Sequence, residues 1–158
     1  MSKTRTPEQL FIVALQDLHD AERAWIERGP SLRHAAGEEL ERFLGADLAR
    51  SGDQAERLAA LLADLGEGTE GDPNIWLRAI LDDAARDVRS IVAGRLRDIA
   101  LVGAFRKGKQ AERASYETAI ALADQLERRE AADTLRECRD EEARADAGLA
   151  KLLARMTS

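Results

Sequence analysis

The strongest constraint on the fold of this chain is a stripe of apolar and small side chains at steps of three and four residues. Around the segment Lys109–Leu126 this stripe consists of Val102, Phe105, Tyr116, Ala119, Ala123 and Leu126. Such spacing keeps side chains on one face of an α-helix. Lys109 and Glu112 fall on the same stripe, at its centre. A charge in an apolar seam is costly unless it is paired or bound to a metal, so we expect any functional site to lie there.

Similar stripes occur in the other long segments of the chain, and no segment has the alternating pattern of a strand. The chain has only 3 prolines, and most of the 11 glycines cluster where helices would end. Pro30 is different, because Gly29-Pro30 interrupts the first stripe, and we expect a kink or a break there. The first helix is predicted to start at Pro7 and the last near Ala131. The other three are predicted to span about Glu38–Leu65, Asp72–Val88 and Arg95–Leu126.

Four long helices and one short helix predict an all-α bundle. The short helix lies in the longer connection, between the second and fourth helices, which makes this connection a crossover between two helical hairpins. The chain of 158 residues is long enough for one domain with a substantial core. We expect residues 7–156 to form this domain and residues 1–6 to be an N-terminal tail.

Composition and charge exclude several classes of partner. The net charge is −6 and no basic stripe with interleaved aromatic residues is present, so nucleic acid is not an expected partner. No apolar run approaches the length of a membrane span, and the N-terminus lacks the apolar core of a signal peptide. Cys138 is the only cysteine, which is consistent with a reducing compartment. We therefore expect a soluble cytoplasmic protein.

Each long helix carries polar residues near its midpoint, on the apolar seam. They are Glu22, then Asp47, Ser51 and Gln54, then Lys109 and Glu112, and finally Glu142, with Arg50 beside Asp47 and Asp146 one turn beyond Glu142. The midpoints of antiparallel helices of similar length meet at one level of a bundle. The pattern therefore predicts a polar layer in the core. Carboxylates that project inward from four helices are the ligand arrangement of ferritin-like di-iron proteins.

Several stretches resemble the YciE/YciF-like family of ferritin-like bacterial proteins, which is linked to stress responses and lacks an established biochemical function. The resemblance extends from about Pro7 to Leu152. It rests on the stretches LFIVALQDLHDAE (Leu10–Glu22), QAERL (Gln54–Leu58), RDIALVGA (Arg97–Ala104), ERASYETAIALADQL (Glu112–Leu126) and DEEARAD (Asp140–Asp146). The resemblance implies a ferritin-like four-helix bundle, often a homodimer, with a metal site in its core.

Two departures from the family pattern affect this metal site. Where the family reads His-Leu-Glu-Glu-Thr on the second helix, this chain reads DLARS at Asp47–Ser51. Where the family reads Glu-His-Tyr-Glu on the fourth helix, this chain reads KQAE at Lys109–Glu112. The Glu-x-x-His ligand pair of di-iron proteins is absent from the sequence. The candidate ligands that remain are Glu22, Glu112, Glu142 and Asp146.

Protonated Lys and Arg have no lone pair for a metal and repel it. We therefore interpret Arg50 and Lys109 as counter-ions that replace the metals. The expected function is a non-enzymatic, dimeric bundle without catalytic, cofactor-binding or metal-binding residues. The alternatives are that the long charged side chains turn to solvent, or that an iron or manganese site remains and serves an oxidase-like or iron-handling protein. A small-molecule binder is less favoured, because the seam shows no gap.

Three further residues have a structural and a functional interpretation. Tyr116 lies one turn from Glu112, and we expect a core tyrosine whose hydroxyl group bonds to the polar layer rather than a redox residue. Cys138 lies on the seam of the last helix and is expected to fill the core. Trp76, on the short helix, is predicted either to anchor a second subunit or to cap the end of the bundle.

Overall fold

The computed structural model describes residues 3–158 and consists of five α-helices. They are α1 (Pro7–Ala35), α2 (Glu38–Asp64), α3 (Ile75–Ser90), α4 (Arg95–Gln125) and α5 (Arg129–Thr157). No strand occurs among the described residues. The predicted all-α class, with four long helices and a short one, is confirmed. None of the described helices has both the length and the apolar content needed to cross a lipid bilayer.

The four long helices form a ferritin-like bundle in which neighbours run antiparallel. The hairpin α1–α2 packs beside the hairpin α4–α5. An ion pair between Glu8 and Arg128 joins the start of α1 to the turn between α4 and α5 at 2.9 Å, and Arg155 of α5 pairs with Glu39 of α2 at the other end of the bundle. The helix α3 lies in the crossover connection and packs on α1 and α4, as predicted.

The starts of α1 and α3 are fixed by side-chain caps. Thr6 Oγ1 accepts a hydrogen bond from the backbone N–H of Gln9 at 3.1 Å, and Pro7 occupies the first helical position. The third helix begins at Ile75 rather than at the predicted Asp72, because Asn74 is the cap. The Asn74 Oδ1 atom accepts from the N–H of Leu77 at 2.8 Å, while its Nδ2 donates to Asp17.

The predicted break at Gly29-Pro30 does not occur, since α1 is helical through Pro30 to Ala35. Gly29 lies where α1 and α2 come very close. A Cβ atom at this position would lie 2.2 Å from Cδ2 of Leu48. Gly29 therefore permits the close packing of the first hairpin, and the packing of Leu32 in the core favours continuation of the helix beyond Pro30.

The link between α4 and α5 lacks glycine but still forms a left-handed turn. Glu127 has φ of 55°. The Arg128 N–H donates to the carbonyl of Ala123 at 2.9 Å, and the Glu127 N–H donates to that of Asp124 at 3.1 Å. These bonds form a Schellman-type helix end, in which glycine is the usual left-handed residue.

The core has two apolar clusters. One cluster contains Trp25, Leu44, Leu77, Phe105 and Leu149, among others. The other is formed around Phe11, Leu18, Leu58, Leu135 and Cys138. Along every long helix, the buried polar residues near the midpoint fall between the main members of these two clusters, whereas the buried Asp98 lies at the start of α4 and accepts from the N–H of Gly37. The fold therefore places one polar layer at mid-height, closed above and below by apolar side chains.

Candidate functional site

The polar layer is built by all four long helices. It comprises seven side chains, none more than 2% exposed: Glu22 from α1, Asp47, Ser51 and Gln54 from α2, Lys109 and Glu112 from α4, and Glu142 from α5. Six of the eight site residues named from the sequence thus lie together. Acidic side chains are almost never fully buried unless they are paired, so this layer is the main candidate site of the chain.

Lys109 is the cation of the layer. Its Nζ atom lies 2.8 Å from Oδ2 of Asp47 and 3.0 Å from Oε2 of Glu142. The nearest oxygen of Glu112 is 3.6 Å away. A single ammonium group on α4 therefore contacts carboxylates from α2, α4 and α5. Such contacts between buried charges compensate in part for their removal from water.

An aromatic ring covers the same ammonium group. The centroid of the Trp25 indole lies 4.5 Å from Lys109 Nζ, which is a cation–π distance. Phe105 packs against this indole with 5.8 Å between ring centroids. Gly108 provides the space, because a Cβ atom there would be 2.8 Å from Cζ2 of Trp25. Trp25 was not predicted as a site residue, although its position three residues after Glu22 places it on the same helix face.

The Tyr116 hydroxyl group is also bonded to the layer. It donates a hydrogen bond to Oε1 of Glu22 at 3.0 Å, and both side chains are fully buried. The structural interpretation of Tyr116 is confirmed. This bond links α4 to α1 and fixes the Glu22 carboxyl group from the side of the second apolar cluster.

The electrostatic balance of the layer is set by burial and by the single lysine. Burial raises the pKa of Glu22 to about 8, and the nearby Glu142 adds to this effect. Burial, Glu142 and Glu22 likewise raise the pKa of Glu112 well above its usual range. Burial alone would lower the pKa of Lys109, but Asp47 and the three glutamates raise it well above its ordinary value. Lys109 is therefore charged at neutral pH, Glu22 is mainly protonated there, and Glu112 is shifted toward its protonated form.

Arg50 lies at the edge of the layer. Its Nη1 atom is 3.3 Å from Oδ1 of Asp47, and its side chain is 36% exposed. Within the described chain this is its one ion pair, so Arg50 does not contact Glu22, Glu112 or Glu142 as the sequence interpretation required. Its long side chain reaches from α2 toward solvent, which is common for arginine.

Asp146 lies outside the layer, and its assignment to the core is corrected. The carboxylate is 18% exposed and accepts a hydrogen bond from Nε of Arg106 at 2.8 Å. Gln110, which replaces the histidine of the family pattern, donates to its other oxygen at 3.3 Å. A step of four residues rotates a side chain by about 40° around the helix, so Asp146 lies to one side of Glu142, where it meets Arg106 of α4.

Gln54 and Cys138 lie where the polar layer meets the second apolar cluster, the one that contains Phe11 and Leu58. The Gln54 Nε2 atom donates to Oε2 of Glu141 at 3.2 Å, and Glu141 pairs with Arg57 at 2.7 Å. Cys138 is fully buried, and burial raises the pKa of its thiol to about 12. The thiol is therefore not reactive, in agreement with its expected role as a core residue.

The layer does not fit a two-metal centre. Glu22, Glu112 and Glu142 each offer one oxygen, and these atoms lie within 4.8 Å of one another. Three carboxylates are too few for two metal ions, and the described chain places no histidine among them. The Lys109 ammonium lies beside two of the three. A cation with no lone pair at this position repels a metal ion.

A separate cleft of about 660 Å³ lies at the end of the bundle, next to the turn between α4 and α5. Its lining includes Phe11, Leu61 and Leu65, but also Arg57, Arg128, Asp64 and Glu137. The lining shares no residue with the polar layer. Its mixture of charges does not indicate one class of ligand.

Comparison with known proteins places these features in a family. YciF of Escherichia coli (strain K12) is 29% identical over 157 residues, with 94% of this chain and 90% of YciF covered. The crystal structure of the E. coli stress protein YciF matches with a TM-score of 0.93, at 28% identity and 98% coverage of both chains. YcfI from Rhodopseudomonas palustris, which carries the description "a putative structural protein", matches with a TM-score of 0.88. That match has 25% identity and covers 92% of this chain and 94% of YcfI.

The family assignment follows from a match over nearly the whole chain. The family model described as a domain of unknown function (DUF892) matches residues 6–158. Together with the similarity to YciF, this confirms the resemblance inferred from the sequence. The chain belongs to the DUF892 family of YciF-like, ferritin-like helical bundles.

Proposed function

We propose that this protein is a non-enzymatic, homodimeric structural bundle whose core contains a lysine in place of metal ions. Lys109 is the principal counter-ion, and Arg50 assists it at Asp47. The single observation that carries the proposal is the position of the Lys109 ammonium, 2.8–3.6 Å from three buried carboxyl groups. A structural role is also the one that the description of YcfI names.

Charge balance explains why one lysine suffices. Glu22 is mainly protonated at neutral pH, since burial raises its pKa to about 8, and burial shifts the pKa of Glu112 in the same direction. Asp47 and Glu142 then remain as the two closest partners of the Lys109 ammonium, and Arg50 gives Asp47 a second positive neighbour. The layer needs no additional positive charge from solution. Its chemistry is that of a buried ion-pair network, which fixes the register of the helices.

Uncovered apolar side chains support the homodimer. Leu10 and Val13 of α1 are 45% and 47% exposed, and Ile75 at the start of α3 is 81% exposed. Leu10 and Val13 lie on the same face of α1 as Asp17. Asp17 accepts hydrogen bonds from Asn74 and Trp76, the two sequence neighbours of Ile75, which places Ile75 near this face. Neighbouring exposed apolar residues are typical of protein–protein contacts. Trp76 donates to Asp17 at 3.2 Å and packs against the first apolar cluster, which supports its role as a cap.

Metal analysis and mass measurement test this proposal. The protein is produced in medium supplemented with iron and manganese and purified without chelators. Elemental analysis should then give far less than one metal ion per chain, and light scattering should give twice the 17.4 kDa chain mass. Iron or manganese at one or two ions per chain would refute the metal-free core, and a monomer at micromolar concentration would refute the dimer.

A second candidate function is iron or manganese handling. The observation that favours it is the triad of Glu22, Glu112 and Glu142, whose oxygens lie within 4.8 Å of one another. A metal ion bound there would have to displace the proton of Glu22, overcome the raised pKa of Glu112 and tolerate Lys109. The same metal analysis on Glu112→Gln separates the two candidates. Metal held by the glutamate triad should be lost in this variant, whereas adventitiously bound metal should remain.

A further inference from the structure

We infer that the polar layer is a binding site for an alkylammonium group. Trp25 and the carboxylates recognise the cation, and the chain's own Lys109 side chain fills the site. This inference rests on the proposed function and adds the class of ligand that the site prefers. It also assigns a recognition role to Trp25 and Gly108, which the sequence did not predict as site residues.

The surroundings of the Lys109 ammonium have two chemically different sides. On one side are Oδ2 of Asp47, Oε2 of Glu142 and Oε2 of Glu112, at 2.8, 3.0 and 3.6 Å. On the other side is the face of Trp25, 4.5 Å from Nζ to the ring centroid. An ammonium group has three N–H donors and no acceptor, so negative carboxylates on one side and the negative π face on the other both attract it.

A metal ion would not use the aromatic side. The indole ring offers only an N–H donor and no lone pair in its plane, whereas hard divalent cations require oxygen ligands on all sides. Cations without strong hydration, in contrast, bind well over tryptophan faces. The presence of Trp25 therefore favours an ammonium group over a metal ion.

The position of the indole depends on a specific packing arrangement. Trp25 is 1% exposed and packs on Phe105. A Cβ atom at Gly108 would lie 2.8 Å from Cζ2 of Trp25 and 3.1 Å from Cδ1 of Leu77. Any side chain at position 108 would therefore push the indole from the cation. Gly108 is adjacent to Lys109 in sequence, so the cation and the space for its aromatic partner lie on one turn of α4.

The inference is tested by truncating the Lys109 side chain and supplying a small ammonium ion in its place. Lys109→Ala removes the part of the side chain that corresponds to propylammonium, and this ion is the probe. The melting temperature of the full-length variant is measured with propylammonium chloride, with sodium chloride at equal ionic strength, and with manganese chloride. We expect propylammonium to raise the melting temperature saturably, by at least about 3 °C, and the other two salts to have no such effect.

Two matched proteins control this experiment. Wild-type protein should not respond to propylammonium, because its site is filled. The double variant Lys109→Ala, Trp25→Leu should lose the response, since the aromatic side is gone. Stabilisation by manganese alone, an equal response without Trp25, or no response to any salt would overturn the inference. Metal content of the wild type tests the proposed function separately, so the two ideas can fail independently.

A second measurement requires no truncated lysine. The chain has four lysines, and Lys109 is the buried one while Lys3, Lys107 and Lys151 are exposed. With lysine labelled at Cε, the Hε protons of Lys109 should resonate upfield of the other three, because the adjacent Nζ atom lies over the indole ring, 4.5 Å from its centroid. Trp25→Leu should abolish this shift, and Trp76→Phe should leave it unchanged. Four coincident lysine signals, or a shift insensitive to Trp25, would refute the ammonium–indole contact.

Discussion

The Nζ atom of Lys109 lies 2.8 Å from Oδ2 of Asp47, and neither side chain is more than 2% exposed. Lys109 belongs to α4 and Asp47 to α2, which are diagonal to each other in the bundle. Since the same ammonium also contacts Glu142 of α5 at 3.0 Å, one side chain ties together helices from both hairpins. The stability of the whole bundle is therefore expected to depend on this residue.

Truncation of Lys109 should be strongly destabilising. Lys109→Ala leaves Asp47 and Glu142 buried without their shared cation, and the loss of one partner of a buried pair costs about 3–5 kcal/mol. Urea denaturation measures this free energy of unfolding. Lys107→Ala is the control, because Lys107 is exposed on the same helix and should change stability by less than about 0.5 kcal/mol. Equal stabilities of the two variants would show that Lys109 is not part of a buried network.

Stability should decrease as the pH rises from mildly acidic to mildly alkaline values. Burial raises the pKa of Glu22 from 4.5 to about 8 in the folded protein. The folded state thus binds this proton more tightly than the unfolded state. Its contribution to stability is fully present below pH 4.5 and is lost as the pH rises toward 8, at up to about 1.4 kcal/mol per pH unit. The raised pKa of Glu112 acts in the same direction.

Urea titrations at several pH values test this dependence. In Glu22→Gln the slope between pH 5 and pH 8 should become smaller, because a neutral amide replaces the titrating group. The Lys109 pKa, raised above its ordinary 10.5, affects stability only at higher pH and does not obscure the result. A wild-type protein whose stability rises over this range would contradict the raised pKa values of Glu22 and Glu112.

Two glycines inside helices should respond oppositely to alanine. In Gly29→Ala the new methyl group would meet Leu48 at 2.2 Å, and such overpacking costs about 1–3 kcal/mol. At Gly52, by contrast, a Cβ atom meets nothing within 4 Å. Gly52→Ala should stabilise α2 by about 0.5–1 kcal/mol through helix propensity. Thermal denaturation of both variants decides this, and stabilisation by Gly29→Ala would show that the hairpin is less tightly packed than described.

The turn between α4 and α5 offers a site where glycine should stabilise. Glu127 has φ of 55°, a conformation that costs an L-residue about 1–2 kcal/mol and glycine little. Glycine also loses more backbone entropy on folding, so we expect a net gain of about 0.5–1 kcal/mol for Glu127→Gly. Glu130→Gly, one residue into α5, should be destabilising. Urea denaturation of both variants provides the comparison.

The sequence predicted the elements and the level of the polar layer because both depend on helical periodicity and helix length. It could not predict side-chain direction at the edge of the layer. Asp146 is one turn from Glu142, but the rotation of α5 directs it to Arg106. Arg50 was expected among the glutamates and instead reaches solvent. Trp25 was not predicted as a site residue, because its cation–π contact with Lys109 depends on the space that Gly108 leaves. Helical periodicity carries no information on such local space.

Replacement of Lys109 by glutamate should convert the polar layer into a metal site. Lys109→Glu would add a carboxylate to Glu22, Glu112 and Glu142 and remove the repelling cation, so the layer should become a strong site for iron or manganese. The double variant with Arg50→Glu should bind metal similarly or slightly better, because Arg50 contacts only Asp47 within the described chain.

Both variants should be less stable than the wild type without metal, since four or more carboxyl groups would share a dry core. Manganese should then stabilise them by about 2.7 kcal/mol at 100 times the dissociation constant. Lys109→Met, which removes the charge and nearly keeps the volume, is the control and should gain much less. Calorimetric titration with manganese and thermal denaturation measure these effects. If Arg50→Glu alone produced the metal site while Lys109→Glu did not, Arg50 rather than Lys109 would be the residue that keeps metal from the core.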